Sequence, residues 1–124
     1  MRRLAVIALL LCAGPFGAAL PGPALAEDPP GFLAGTEDVP LMPGLHNEPN
    51  TLVVFDKPQG RIVEAEARGK VTRAAVEKFY AASLPELGWK ADGLDGWQRD
   101  EEELRIDFKG HDGDLRVAFS LAPR

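Results

Sequence analysis

From Thr72 to Trp89 the apolar residues Val76, Phe79, Tyr80, Leu84 and Leu87 recur at intervals of three and four, while Arg73, Glu77, Lys78 and Glu86 fall mostly between them. That spacing predicts one amphipathic helix, which needs an apolar surface to lie on. Thr72 stands where an N-cap belongs, and Gly88 suits the left-handed position just past the end. Pro85 interrupts the pattern, because it deletes one backbone hydrogen bond and crowds the carbonyl four residues back. Two outcomes stay open: a kinked helix reaching Leu87, or a break after Ala82 with Ser83 capping a final turn through Glu86.

Period-two alternation surrounds this helix. Thr51 to Asp56 (TLVVFD) is β-branched and aromatic enough for a strand. Lys57-Pro58-Gln59-Gly60 then reads as a turn, with Pro58 presetting φ and Gly60 free to take positive φ. In Arg61 to Arg68, Val63, Ala65 and Ala67 alternate with Glu64, Glu66 and Arg68, so the pair reads as a hairpin with one wet face. After the helix, Trp97 to Asp100 is a short strand. Glu103 to Lys109 is a longer one, with Leu104, Ile106 and Phe108 against Arg105, Asp107 and Lys109. Asp112-Gly113 signals a tight turn, and Leu115 to Leu121 is the last strand. The expected fold is α+β: a mostly antiparallel sheet in the order β-β-α-β-β-β, with the helix packed across one face. The expected inward set is Val63, Ala65, Val76, Phe79, Tyr80, Leu84, Leu87, Trp89, Leu104, Ile106, Phe108, Val117, Phe119 and Leu121.

The remainder of the chain lacks either period. Residues 1–26 carry Arg2-Arg3, an apolar run from Leu4 to about Leu20, and Ala24-Leu25-Ala26 before the acidic Glu27-Asp28, the pattern of a secretory signal peptide cleaved after Ala26. Lipidation at Cys12 is the lesser alternative, since the bulky Leu11 precedes it. Residues 27–50 are rich in Pro and Gly and read as an extended segment. Within it Val39, Leu41, Met42 and Leu45 are too apolar for a free linker, so 39–45 is expected to dock on the body of the domain and Glu27 to Gly35 to be mobile. Residues 51–124 form the single α+β domain.

Removing the signal leaves 98 residues with 12 basic and 19 acidic side chains, a net charge of −7. That balance argues against nucleic acid and anionic membrane surfaces as partners. The single Cys leaves with the signal, so stability outside the cytoplasm must come from the core. No catalytic, metal or cofactor signature stands out. His111-Asp112-Gly113-Asp114 is better explained by its turn than as a metal or acid-base cluster, for the only other His is His46. The carboxylates Asp100 to Glu103 fit a solvated turn rather than a catalytic pair or a weak calcium site. Asp92 to Gly96 has the glycines but not the spacing of an EF-hand loop. Ser83 has no His in reach, and Gly60-Arg61 lacks the glycines and following helix of a phosphate loop. Tyr80 reads as core, with its hydroxyl at the rim.

Asp38 to Leu45, Phe55-Asp56-Lys57-Pro58 with Gly60-Arg61-Ile62, and Phe79-Tyr80 with Leu84-Pro85 and Leu87-Gly88-Trp89 together resemble a family of small secreted proteobacterial proteins of unknown function. The resemblance implies that 39–45 belongs to the domain, and it carries no catalytic residue across. The element order also resembles small helix-on-sheet modules used as periplasmic accessory domains. The expected function is therefore a non-enzymatic periplasmic or secreted module that binds another protein or an envelope component, through Leu41, Met42 and Leu45 together with Trp97 and the edge it opens. The alternative is a small-ligand or weak cation binder using the helix–sheet crevice or Asp100 to Glu103. A hydrolase is the third reading, and would need Asp107, His111 or Asp114 to converge with other groups.

Overall fold

The helix forms where the apolar spacing puts it. The computed structural model describes residues 31–124 and Gly17, and in it α1 spans Arg73–Glu86 without a break. The signal sequence, the Cys12 alternative and residues 27–30 lie outside the described residues, Gly17 apart. Thr72 caps the helix, its Oγ1 accepting from the Ala75 N–H at 3.1 Å. Asp112 satisfies another first-turn donor, since its Oδ1 accepts from the Arg73 N–H at 2.9 Å. Pro85 sits in the last turn, where its carbonyl still accepts from Gly88 N–H at 3.1 Å. With Trp89 N–H donating to the Leu84 carbonyl at 3.1 Å and Gly88 at φ 90°, this is a Schellman ending, sealed by the buried pair Leu84 and Trp89.

Among the described residues, seven strands make one antiparallel sheet: β1 (Leu45–Asn47), β2 (Val53–Lys57), β3 (Gly60–Gly69), β4 (Lys90–Asp92), β5 (Gly96–Arg99), β6 (Glu102–His111) and β7 (Asp114–Pro123). The spatial order is β1-β3-β7-β6-β5-β4. β2 pairs with the first half of β3 on the flank that β1 shares. The expected order β-β-α-β-β-β is thus corrected to β-β-β-α-β-β-β-β. The two additional strands, β1 and β4, are three residues each, too short to print a period on the sequence.

One core fills one face of the sheet. Val76, Tyr80 and Leu84 of α1 cluster with Ala65 and Ala67 of β3, Leu104 and Ile106 of β6, and Leu115, Val117 and Phe119 of β7. The Tyr80 ring meets Phe119 edge-on with centroids 5.5 Å apart. The segment before β1 completes this layer. Leu33, Val39, Leu41 and Leu45 are all buried, and Leu33 N–H donates to the Val39 carbonyl at 2.9 Å. The mobility expected up to Gly35 therefore does not extend to Leu33. Tyr80 ties segment to helix by donating its hydroxyl to the Pro40 carbonyl at 2.8 Å, so that hydroxyl is not at a rim. Burial pushes the phenol well above its ordinary pKa. Leu87, expected inward, is 39 % exposed, because the helix ends there and Trp89 takes the buried place. Phe79, Phe108 and Leu121 are only partly buried at the margin of the core.

Candidate functional site

Among the described residues, β2 and a crevice beside α1 each present apolar surface to solvent. The residues of β2 pair with β3 as Val53↔Glu64, Val54↔Val63, Phe55↔Ile62, Asp56↔Arg61 and Lys57↔Gly60. Among the described residues nothing pairs with its other side. Directly opposed residues share a face, so Val54 lies on the side of buried Val63, while Val53 and Phe55 lie with Glu64 on the outer face. Leu52, Val53, Val54 and Phe55 are 45, 40, 37 and 51 % exposed in succession. Natural sheets blunt such edges with charge or proline. Here Asp56, Lys57 and Pro58 do so at one end only. The opposite edge, β4, carries Lys90 and Asp92 among three exposed residues.

The second place is a crevice of about 430 Å³ between α1 and the β4–β5 hairpin. Its walls are Val76 and Tyr80 from the helix, Trp97 from β5, and Ile106 and Phe108 from β6. Arg73 closes one end, its guanidinium 4.6 Å from the Phe108 ring centre and 2.9 Å from Glu77. Leu94, at the tip of the β4–β5 turn, lines the mouth and is fully exposed.

The residues named from sequence as partner contacts divide between core and margin. Leu41 and Leu45 are 6 and 4 % exposed and belong to the core. Met42 and Trp97 are half-buried and pack against it. Two buried leucines offer a partner no surface unless the segment lifts off, so the exposed row on β2 takes their place as the candidate contact. The sequence held that row in plain view as TLVVF, but a continuous apolar run reads the same for an edge strand as for a buried one.

The charged motifs go to structure. Arg99 bonds Asp38 Oδ2 at 2.5 Å, the Leu87 carbonyl at 3.2 Å and Glu102 Oε2 at 3.4 Å, and its guanidinium lies 4.3 Å from the Trp89 ring centre. One cation thus joins the N-terminal segment, the helix end and the start of β6. Asp100 sits in the β5–β6 turn at φ 51°, and Glu103 faces Arg105 at 3.1 Å. Asp114 pairs with Arg68 at 2.8 Å, and Arg68 holds the Asp114 carboxyl below the usual carboxylate range. His111 is exposed, with Nδ1 3.1 Å from the Asp112 carbonyl oxygen. Among the described residues, no group of three or more His, Cys, Asp or Glu side chains is arranged to hold a metal ion, and no helix is long and apolar enough to cross a membrane. No protein-family model, curated protein or solved structure matches this chain.

Proposed function

We propose that this chain is an exported, non-enzymatic binding module that docks a polypeptide partner along the outer side of β2. The observation that carries the reading is the four-residue apolar row Leu52 to Phe55 on an unpaired edge. Backbone groups on such an edge give affinity by adding a strand to the sheet, and alternate side chains give selectivity. Export is supported by Arg2-Arg3, the apolar run and Ala24-Leu25-Ala26 ahead of the acidic chain.

Val54→Lys places a charge in the centre of the row, at a side chain that is 37 % exposed although it shares a face with buried Val63. Loss of a central apolar contact weakens docking by about 2 kcal/mol, roughly thirtyfold in Kd. The measurement is retention of an envelope protein on the immobilised chain, identified by mass spectrometry and titrated. Val54→Lys is expected to release it, and Lys90→Glu on the opposite edge to leave it bound. Equal retention by both variants would take β2 out of the reading.

A second reading is favoured by the crevice: a small apolar or aromatic ligand held between Tyr80, Trp97 and Phe108. A ligand at a hundredfold excess over its Kd raises folding stability by about 2.7 kcal/mol. Thermal shift against a panel of aromatic and aliphatic metabolites is expected to give a rise that Trp97→Ala abolishes. A flat panel removes this reading.

A further inference from the structure

We infer that the polypeptide that pairs with β2 is a second copy of this chain, antiparallel to the first about a twofold axis at Val54. The inference rests on reading β2 as the pairing edge and names its occupant. Hydrogen-bond phase restricts the choice. The two-residue turn closes on Lys57↔Gly60, so the bonded pairs continue as Phe55↔Ile62 and Val53↔Glu64. Glu66 keeps that phase, donating its N–H to Thr51 Oγ1 at 3.1 Å while its carbonyl accepts from the Glu48 N–H at 2.8 Å. The N–H and C=O of Val54 and Asp56, and of Leu52 by continuation, therefore turn away from β3.

Two copies can match these groups in few registers. With the axis at Val54, Val54 meets Val54 and Leu52 meets Asp56 on both sides. An axis at Phe55 sets Leu52 against Pro58, which has no N–H. An axis at Val53 sets Asp56 against Asn50, whose φ of 62° has left the strand. An axis at Asp56 opposes two carboxylates.

The side chains favour the same register. Val53 faces Phe55 twice on the outer face, a β-branched residue against an aromatic one. Thr51 faces Lys57. Thr51, Glu64 and Glu66 line one shallow hollow on that face, so each Lys57 ammonium arrives in line with Thr51 and Glu66 of the other copy, with Glu64 diagonal to it. Among the described residues Glu64 takes part in no ion pair. Apolar row, backbone phase and charge are thus complementary under one twofold operation, as an isologous interface requires.

The test uses the full chain carrying Cys12→Ser, so that no native thiol interferes. Opposed non-hydrogen-bonded residues stand about 4.5 Å apart at Cα, within disulfide reach, whereas diagonal ones stand about 7–8 Å apart. Val53→Cys and Phe55→Cys, each prepared alone and then mixed under mild oxidation, are expected to give cross-linked dimer only in the mixture. Sedimentation equilibrium should show a concentration-dependent dimer, reduced to monomer by Val54→Lys in a chain that keeps its circular dichroism spectrum and whose melting temperature no longer rises with concentration. Cross-linking of Phe55→Cys alone overturns the Val54 axis, and a monomer at every concentration overturns the dimer. In that last case hydrogen exchange with a synthetic strand peptide of alternating Val and Thr decides the parent reading. Slowed amides at Val54 and Asp56 keep β2 as a pairing edge, and unchanged amides sink it as well.

Discussion

Trp89→Ala should unfold this protein more readily than any other single truncation of a side chain. Trp89 is 2 % exposed and is among the largest fully buried side chains. It stands at the second position past the helix, where its backbone N–H closes the Schellman ending on the Leu84 carbonyl. Its ring is covered by the Arg99 guanidinium, which is anchored in turn by Asp38, Glu102 and the Leu87 carbonyl. Truncation removes the transfer energy of the indole and leaves a cavity, together about 3–5 kcal/mol. Arg99 also loses the face it stacks on, a contribution of about 0.5–2 kcal/mol. For a domain of this size each kcal/mol moves Tm by about 4–8 °C, so a fall of at least about 12 °C is expected in a thermal melt. Trp89→Phe should be far milder. It keeps most of the apolar volume and removes an indole N–H that has no hydrogen-bond partner among the described residues. Equal losses from the two variants would contradict the packing argument.

Gly69→Ala is expected to have the second largest effect, for a steric reason. Gly69 ends β3 between Leu45 on one side and Leu115 on the other. A Cβ placed there would stand 2.0 Å from the Gly44 carbonyl oxygen and 2.9 Å from the Gly44 carbonyl carbon. Both obstacles are backbone, so no rotamer change relieves them. Either β3 shifts against β7, or β1 leaves the sheet and carries Leu41 and Leu45 out of the core. Overpacking of this kind costs about 3 kcal/mol. Detachment has its own signature, rapid proteolysis between Met42 and Leu45 in a chain whose helix signal persists by circular dichroism. Gly93→Ala is the control: its φ of 74° is unfavourable for Ala, but nothing lies within 4 Å of the added methyl. About 1 kcal/mol is expected there. A Gly69→Ala protein as stable and protease-resistant as the parent would mean that the contact between β1 and β3 is looser than the registers require.

Local chemistry carried much of the fold. Thr72, the spacing by four of Val76, Tyr80 and Leu84, and Gly88 define a helix whose start and central buried stripe are legible without knowing what it touches. The Asp112-Gly113 turn and the alternations on either side define β6 and β7 as paired, and the structure aligns them from Glu102↔Pro123 to His111↔Asp114. The Pro85 ambiguity could not be resolved in the same way. Whether a proline breaks a helix depends on where the last turn falls, and here the turn that it disturbs is the terminal one.

The candidate contact surface was much less legible. Leu41 and Leu45 look like docking residues in a Pro-rich stretch, and the stretch is consumed as core cover by Leu33, Val39 and their neighbours. Leu52 to Phe55 read as a strand whose covering the pattern leaves open, and they lie on an edge. Both assignments depend on which strand ends the sheet, and that is fixed by pairings between residues distant along the chain, such as Ala65 with Phe119.

The sequence by itself determined the helix, the five longer strands and the alternating faces, because each is written in spacings of two to four residues that backbone geometry converts directly into sidedness. Only the tertiary structure decided the strand order, the burial of Leu33 ahead of the docked stretch and the exposure of β2. Those follow from competition among apolar segments for one limited face, and no local pattern records which segment wins.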